Sequence, residues 1–284
     1  MTEPLLCALV LAASVVAGLL GSLTGLGGGV VVIPVLVLLF GVDLRYAIGA
    51  SLVAVIATST GSAAAFLREG FTNLRVAMLL EVATTAGALC GTILALSLPV
   101  PALSIIFSLV LLHTAFSTFR SRLPDHPDLP PDPLASRLGL NAHAPVRLPD
   151  GTTSTKAYFP RHIPAGFALM FAAGVLSALV GIGSGVVKVL AMDRLMRLPF
   201  KVSTTTSNFM IGVTAAAGAG VLLHRGQIDP RLAAPVAVGA LVGSIIGARL
   251  LPGLDVRSLR LAFAALVALA GVHMLVRGLQ GVMP

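Results

Sequence analysis

The chain has no tryptophan, two tyrosines and two cysteines, and only 11% of its 284 residues are charged. Soluble domains carry about 25% charge, so a soluble globular protein is excluded. Cys7 and Cys90 both lie inside apolar runs, at no disulfide or metal-ligand spacing, and read as small buried hydrophobes. Without tryptophan, the aromatic belt that often marks membrane interfaces is weak. The opening Met1-Thr2-Glu3-Pro4 has no positive stretch, so no cleavable signal peptide is expected and the first apolar run should stay in the membrane. What the chain has is apolar residues, 56% of the total, with a mean hydropathy of +0.98. These figures predict an all-α polytopic membrane protein. The formal net charge is +8. Its Arg and Lys residues sit mostly at the ends of apolar runs, as membrane-flanking residues do. They are not clustered on one face with interleaved aromatics, so nucleic acid is not an expected partner; membrane lipid is.

Glycine is abundant, and its placement organises the chain. Gly25-Leu26-Gly27-Gly28-Gly29-Val30-Val31 interrupts a run with no charge from Leu5 to Gly41. The pattern returns 156 residues later as Gly181-Ile182-Gly183-Ser184-Gly185-Val186-Val187, and the register continues through Ser51/Ser207, Thr58/Thr214, Gly87/Gly243 and Gly91/Gly247. The expectation is two homologous repeats of four to five helical elements, each with a glycine-broken first segment. Residues 1–120 form the first, 121–162 a proline-rich inter-repeat loop on the cytoplasmic side, and 163–284 the second. Five elements per half would make the repeats inverted, four parallel. The turn charges do not choose, although inverted repeats are favoured.

In order, Leu5–Thr24 is long enough to span about 30 Å as a helix. Val30–Phe40 has eleven residues and would reach only about 17 Å, so it is half of a broken span or part of a re-entrant hairpin. Spans follow at Ala47–Leu67, Asn73–Leu98 and Ala102–Phe119. Eight prolines crowd Arg120–His162, which denies helix and central strand. Such a segment cannot order itself alone, although Asp150-Gly151 between short extended runs suggests a hairpin. The second half repeats the plan with Ile163–Val180, Val186–Leu198, Ser203–Leu223, Pro230–Leu250 and Leu259–Val276.

Paired interrupted segments in two halves point to a transporter's substrate site. Helix starts offer unpaired N–H groups and partial positive charge, and glycines let an anion approach them. The candidate substrate-binding set is therefore Gly25, Gly27, Gly28, Gly29, Gly181, Gly183, Ser184 and Gly185. The competing reading is close helix packing through small residues spaced by four, which fits Gly87/Gly91 and Gly243/Gly247 better than the two dense clusters. Lys188, on the second short segment, is costly in a membrane and suits an anion; otherwise it snorkels or pairs with Asp193. In the polar run Ser203–Asn208, Thr206, Ser207 and Asn208 join the candidates, with Ser51 the first-half equivalent of Ser207. Helix capping and interhelical bonding compete for this run. Glu81, Asp193, His113 and His273 are ionisable candidates for a coupling proton. No catalytic or metal-binding pattern appears, so neither an enzyme nor a cofactor is expected.

The stretches Gly25–Pro34, Gly181–Lys188 and Lys201–Thr214 resemble the TauE/SafE family of sulfite exporters and related permeases, across both halves but not the central loop. Ser184 replaces Gly28, and Leu190 replaces Pro34, in the second copy. The resemblance implies an integral protein of a bacterial inner membrane. It also implies a permease for a small sulfur-containing anion such as sulfite, thiosulfate or an organosulfonate. An anion channel, or a permease for another small organic anion, is the alternative. Coupling to protons or sodium, and homo-oligomerisation, are left open.

Overall fold

The structure is a computed structural model that describes residues 3–24, 27–68, 70–120, 132–147, 153–183, 185–250 and 256–281. It is an all-α polytopic membrane protein. The first half contains α1 (Glu3–Thr24), α2 (Gly29–Pro34), α3 (Leu44–Arg68), α4 (Leu74–Ser97) and α5 (Val100–Arg120). A π-helical turn, Val35–Leu39, continues α2. A central segment of α6 (Pro133–Arg137), β1 (Ala142–Arg147) and β2 (Thr153–Tyr158) follows. The second half contains α7 (Ile163–Val180), α8 (Gly185–Leu190) with its own π turn Ala191–Leu195, α9 (Phe200–His224), α10 (Pro230–Leu250) and α11 (Val256–Leu279). Among the described residues, seven helices are long and apolar enough to cross a membrane.

Glycine contacts fix the directions of the helices. Gly239, Gly243 and Gly247 of α10 abut Leu11, Val15 and Leu19 of α1 in the same order, so these two helices run parallel. Gly174 of α7 abuts Thr84 of α4, while Gly91 abuts Val175. Tyr158, just before α7, meets Asn73 at the start of α4, so α4 and α7 are also parallel. In contrast, Gly278 and Gly271 of α11 abut Ser104 and Leu111 of α5, an antiparallel pair. Leu52 lies against Gly218, and Ser59 against Gly212, so α3 and α9 are antiparallel. Each half thus contains a long helix, a short helix and further long helices. Each half packs chiefly on the other, α1 on α10 and α4 on α7.

Gly28, at the start of α2, sits back against Ala17 and Gly18 of α1. The chain has therefore reversed, and α1 with α2 forms a re-entrant hairpin rather than one broken span. The close approach needs glycine. A Cβ on Gly18, Gly87 or Gly243 would collide with a backbone carbonyl of the facing helix, which cannot move aside as a side chain can.

The central segment is more ordered than its prolines suggest, because the membrane body orders it. Its two strands pair antiparallel, from Ala142 opposite Tyr158 to Arg147 opposite Thr153. The Asp150-Gly151 turn lies outside the described residues. Ala135, Leu140, Ala144 and Tyr158 are buried with Val76, Leu80, Met192 and Met196. Asn73 ties the pieces together. Its side chain caps α4 by accepting from the Val76 N–H, and donates to the Leu140 carbonyl (3.2 Å) and the Tyr158 hydroxyl (3.0 Å). Burial pushes the Tyr158 hydroxyl up to about 12, because its ionised form would lose hydration. The neutral phenol is the docked form, so this stabilisation is complete below about pH 10 and is lost as the pH rises through about 12. Docking of the segment should loosen in that window in hydrogen exchange. Tyr158→Phe should remove most of the pH dependence while leaving the helices folded.

Two expectations change. Cys7 and Cys90 are exposed on the outer faces of α1 and α4. Lipid-facing positions are as apolar as buried ones, so hydrophobicity alone does not predict burial in a membrane helix. His113 and His273 are likewise exposed, on α5 and α11, and face away from the interior.

Candidate functional site

The two glycine breaks meet. Gly29 lies against the Gly181 carbonyl, and Gly27 against that of Ile182. Gly27, Gly181 and Gly183 have φ of 80°, 69° and 79°, left-handed values that L side chains rarely adopt. Gly25 and Ser184 lie outside the described residues. Around the junction the predicted hydroxyls bind backbone. Ser51 donates to the Gly181 carbonyl (2.6 Å) and Ser207 to that of Gly185 (3.4 Å). The Gly28 N–H donates to Thr58 Oγ1 (3.4 Å). Backbone groups freed by a break inside a membrane need such partners. Asn208 lines a small polar cleft beside the junction with Gly21, Ser22, Gly27, Thr58, Ser59 and Ser62. The cleft has no room wide enough for water.

The polar run of α9 divides. Ser207 and Asn208 reach the junction. Thr206 is turned aside, accepting from the Asn73 N–H (3.1 Å) where the central segment docks. Thr204 and Thr205 bond back to carbonyls of their own helix, the ordinary behaviour of a hydroxyl in a helix.

Lys188 does not snorkel, and the bond that its ammonium makes is to Thr214 rather than to Asp193, five positions ahead. The lysine is fully buried and its Nζ donates to Thr214 Oγ1 (2.5 Å). That hydroxyl in turn donates to Glu81 Oε1 (2.7 Å), with the Met210 carbonyl a second acceptor at 3.0 Å. Thr85 also donates to Glu81 Oε1 (3.3 Å). A cation from α8 and a carboxylate from α4 are thus joined through one hydroxyl from α9. At the offset of 156 residues Lys188 and Thr214 match Val32 and Thr58 of the first half, and Glu81 matches Ala237 of the second, so the charged group exists once. The sequence separated these three residues by up to 133 positions. The available signal was that Lys188 and Glu81 each lie within a predicted span.

A family model, Sulfite exporter TauE/SafE, matches residues 10–274. The chain is 24% identical over 273 residues to the probable membrane transporter protein YunE of Bacillus subtilis (strain 168), covering 93% of this chain and 95% of that one. It is 27% identical over 259 residues to the probable membrane transporter protein YdhB of the same organism, covering 91% and 96%. No solved structure matches. With the model spanning nearly the whole chain, the protein belongs to the TauE/SafE sulfite exporter family.

Proposed function

We propose that the protein is a secondary transporter that moves a small sulfur-containing anion, such as sulfite, thiosulfate or an organosulfonate, by alternating access. The observation that carries this is the junction of two glycine breaks beside a buried lysine. Two short helices start there, from opposite directions, and their N-terminal ends favour negative charge. Gly27, Gly28, Gly29, Gly181, Gly183 and Gly185 supply the backbone, Ser51, Ser207 and Asn208 the polar side chains, and Lys188 the charge. The halves, 1–120 and 163–284, act as inverted repeats around the junction. Because α1 packs on α10 and α4 on α7, any body that rocks draws elements from both.

Charge supports an orientation. The face bearing the central segment also bears Arg68, Arg75, Arg120, Arg161, Arg194, Arg197, Lys201 and Arg249. The opposite face has Arg45, Arg225, Arg231 and Arg277. Basic residues favour the cytoplasmic side, so the central segment is cytoplasmic and both ends of the described chain face outward.

The test is uptake of labelled sulfite, thiosulfate and methanesulfonate into proteoliposomes. Saturable uptake of one of them is expected. If none is taken up under imposed proton or sodium gradients, the substrate class is wrong.

A further inference from the structure

We propose that Glu81 takes up a coupling proton, and that Lys188, released from Glu81 by that proton, becomes the counter-charge of the transported anion. This rests on the transport reading above and adds its energy source.

The argument is one of charge balance. Lys188 and Glu81, of opposite charge, are joined through Thr214. An anion arriving beside Lys188 would leave the site with one uncompensated negative charge, and an unpaired charge is expensive inside a membrane. One proton on Glu81 restores neutrality. Binding of the anion and binding of the proton therefore favour each other reciprocally, with one proton taken up by Glu81 per anion carried.

Glu81 has a place for that proton. Its Oε1 accepts from Thr214 and Thr85, while Oε2 is buried with no hydrogen-bond partner. An unpaired oxygen costs far less on a neutral carboxyl than on a carboxylate. Thr214 has one hydroxyl proton and two acceptors, Glu81 Oε1 and the Met210 carbonyl. Once Glu81 is neutral, the hydroxyl can turn to Met210, and the link between cation and carboxyl opens. The proton enters from water and returns to water on the other side; no bond other than O–H is made or broken.

Among the described residues, Lys188 is the charged side chain linked to Glu81. Helix α7, packed along α4, has no ionisable side chain. Those of α9, Lys201 and His224, are at its ends, with Lys201 over the Phe71 ring. Asp193 and Arg194 lie in the π turn beyond α8, and Arg75 donates to Gly139 at the start of α4.

The test uses the full chain in liposomes with a pH-sensitive dye inside, the membrane potential clamped, and whichever of sulfite, thiosulfate and methanesulfonate is carried. Thiosulfate and methanesulfonate keep their charge over the working pH range, so they isolate the protein's own proton. Wild-type uptake should acidify the lumen, and an inward proton gradient should drive accumulation. Glu81→Gln, a neutral side chain that binds no proton, should lose gradient-driven accumulation by about tenfold or more. Its exchange of labelled for unlabelled anion, which needs no net proton, should persist. Gradient-driven accumulation by Glu81→Gln at the wild-type level would overturn the proposal. If the glutamine variant fails to fold, Glu81→Asp decides: coupling retained with a shifted pH of half-maximal uptake supports it, and an unshifted pH overturns it. Wild-type net uptake without acidification of the lumen would sink the coupling alone, leaving the transport reading intact. No exchange of any of the three anions would sink both.

Discussion

Lys188→Met is expected to lose anion uptake and much of its stability, and adding Glu81→Gln should restore the stability alone. Lys188 is fully buried, and the single substitution strands the Glu81 carboxylate without its cation. Removing one partner of a buried pair costs about 3–5 kcal/mol. Because a hydroxyl intervenes here, the lower end is expected. Neutralising Glu81 as well removes the stranded charge, and a buried pair replaced by uncharged groups is often neutral. Thermal unfolding in lipid nanodiscs should therefore rank wild type and double variant close together, with the single variant well below. Uptake separates the structural role from the functional one. Neither variant has a cation to meet the anion, so both should be inactive. A double variant that transports at the wild-type rate would reduce the lysine to a packing feature.

This pair also marks where the sequence stopped being readable. The glycine breaks were legible because they recur at a fixed offset, and their density at Gly25–Gly29 exceeds what helix packing uses. The spans were legible from apolar length alone. Contacts between helices were not. Asp193, nearby in the chain, was the natural partner to consider for Lys188. The partners are Thr214 and Glu81, brought in by the packing of α8 and α9 against α4. Direction was hidden for a related reason. Both faces of the membrane carry arginine, and only the order of contacts, Gly239 to Leu11 and Gly247 to Leu19, shows which helices run together. The central segment was misjudged because its composition was weighed in isolation. Leu140, Ala144 and Tyr158 bury their surface on the membrane helices rather than on one another. Pro34 and Leu190 differ between the two short helices, yet both helices pass into a π turn at the same place.

The second large effect is expected at the junction itself. At Gly29 an added Cβ would lie 2.5 Å from Ser51 Oγ, 2.7 Å from Val55 Cγ2 and 2.9 Å from the Gly181 carbonyl oxygen. None of the three can retreat easily. Ser51 is held to that same carbonyl by its 2.6 Å hydrogen bond, and Gly181 is itself hemmed in by Ile33 and Ile48. Gly29→Ala must therefore push the two breaks apart. Overpacking of this kind costs about 1–3 kcal/mol. Misplacing a binding group by an ångström costs on the order of a hundredfold in enzymes, and uptake should fall by a similar factor. Gly220→Ala is the matched comparison. Gly220 lies within α9, is exposed, and has nothing within 4 Å of its would-be Cβ. Alanine there removes freedom from the unfolded chain without a clash, so stability should rise by about 0.4–1 kcal/mol with uptake unchanged. The contrast isolates contact from helix propensity, since both changes are glycine to alanine. Equal uptake by the two variants would mean that the meeting of the breaks is not where the anion passes.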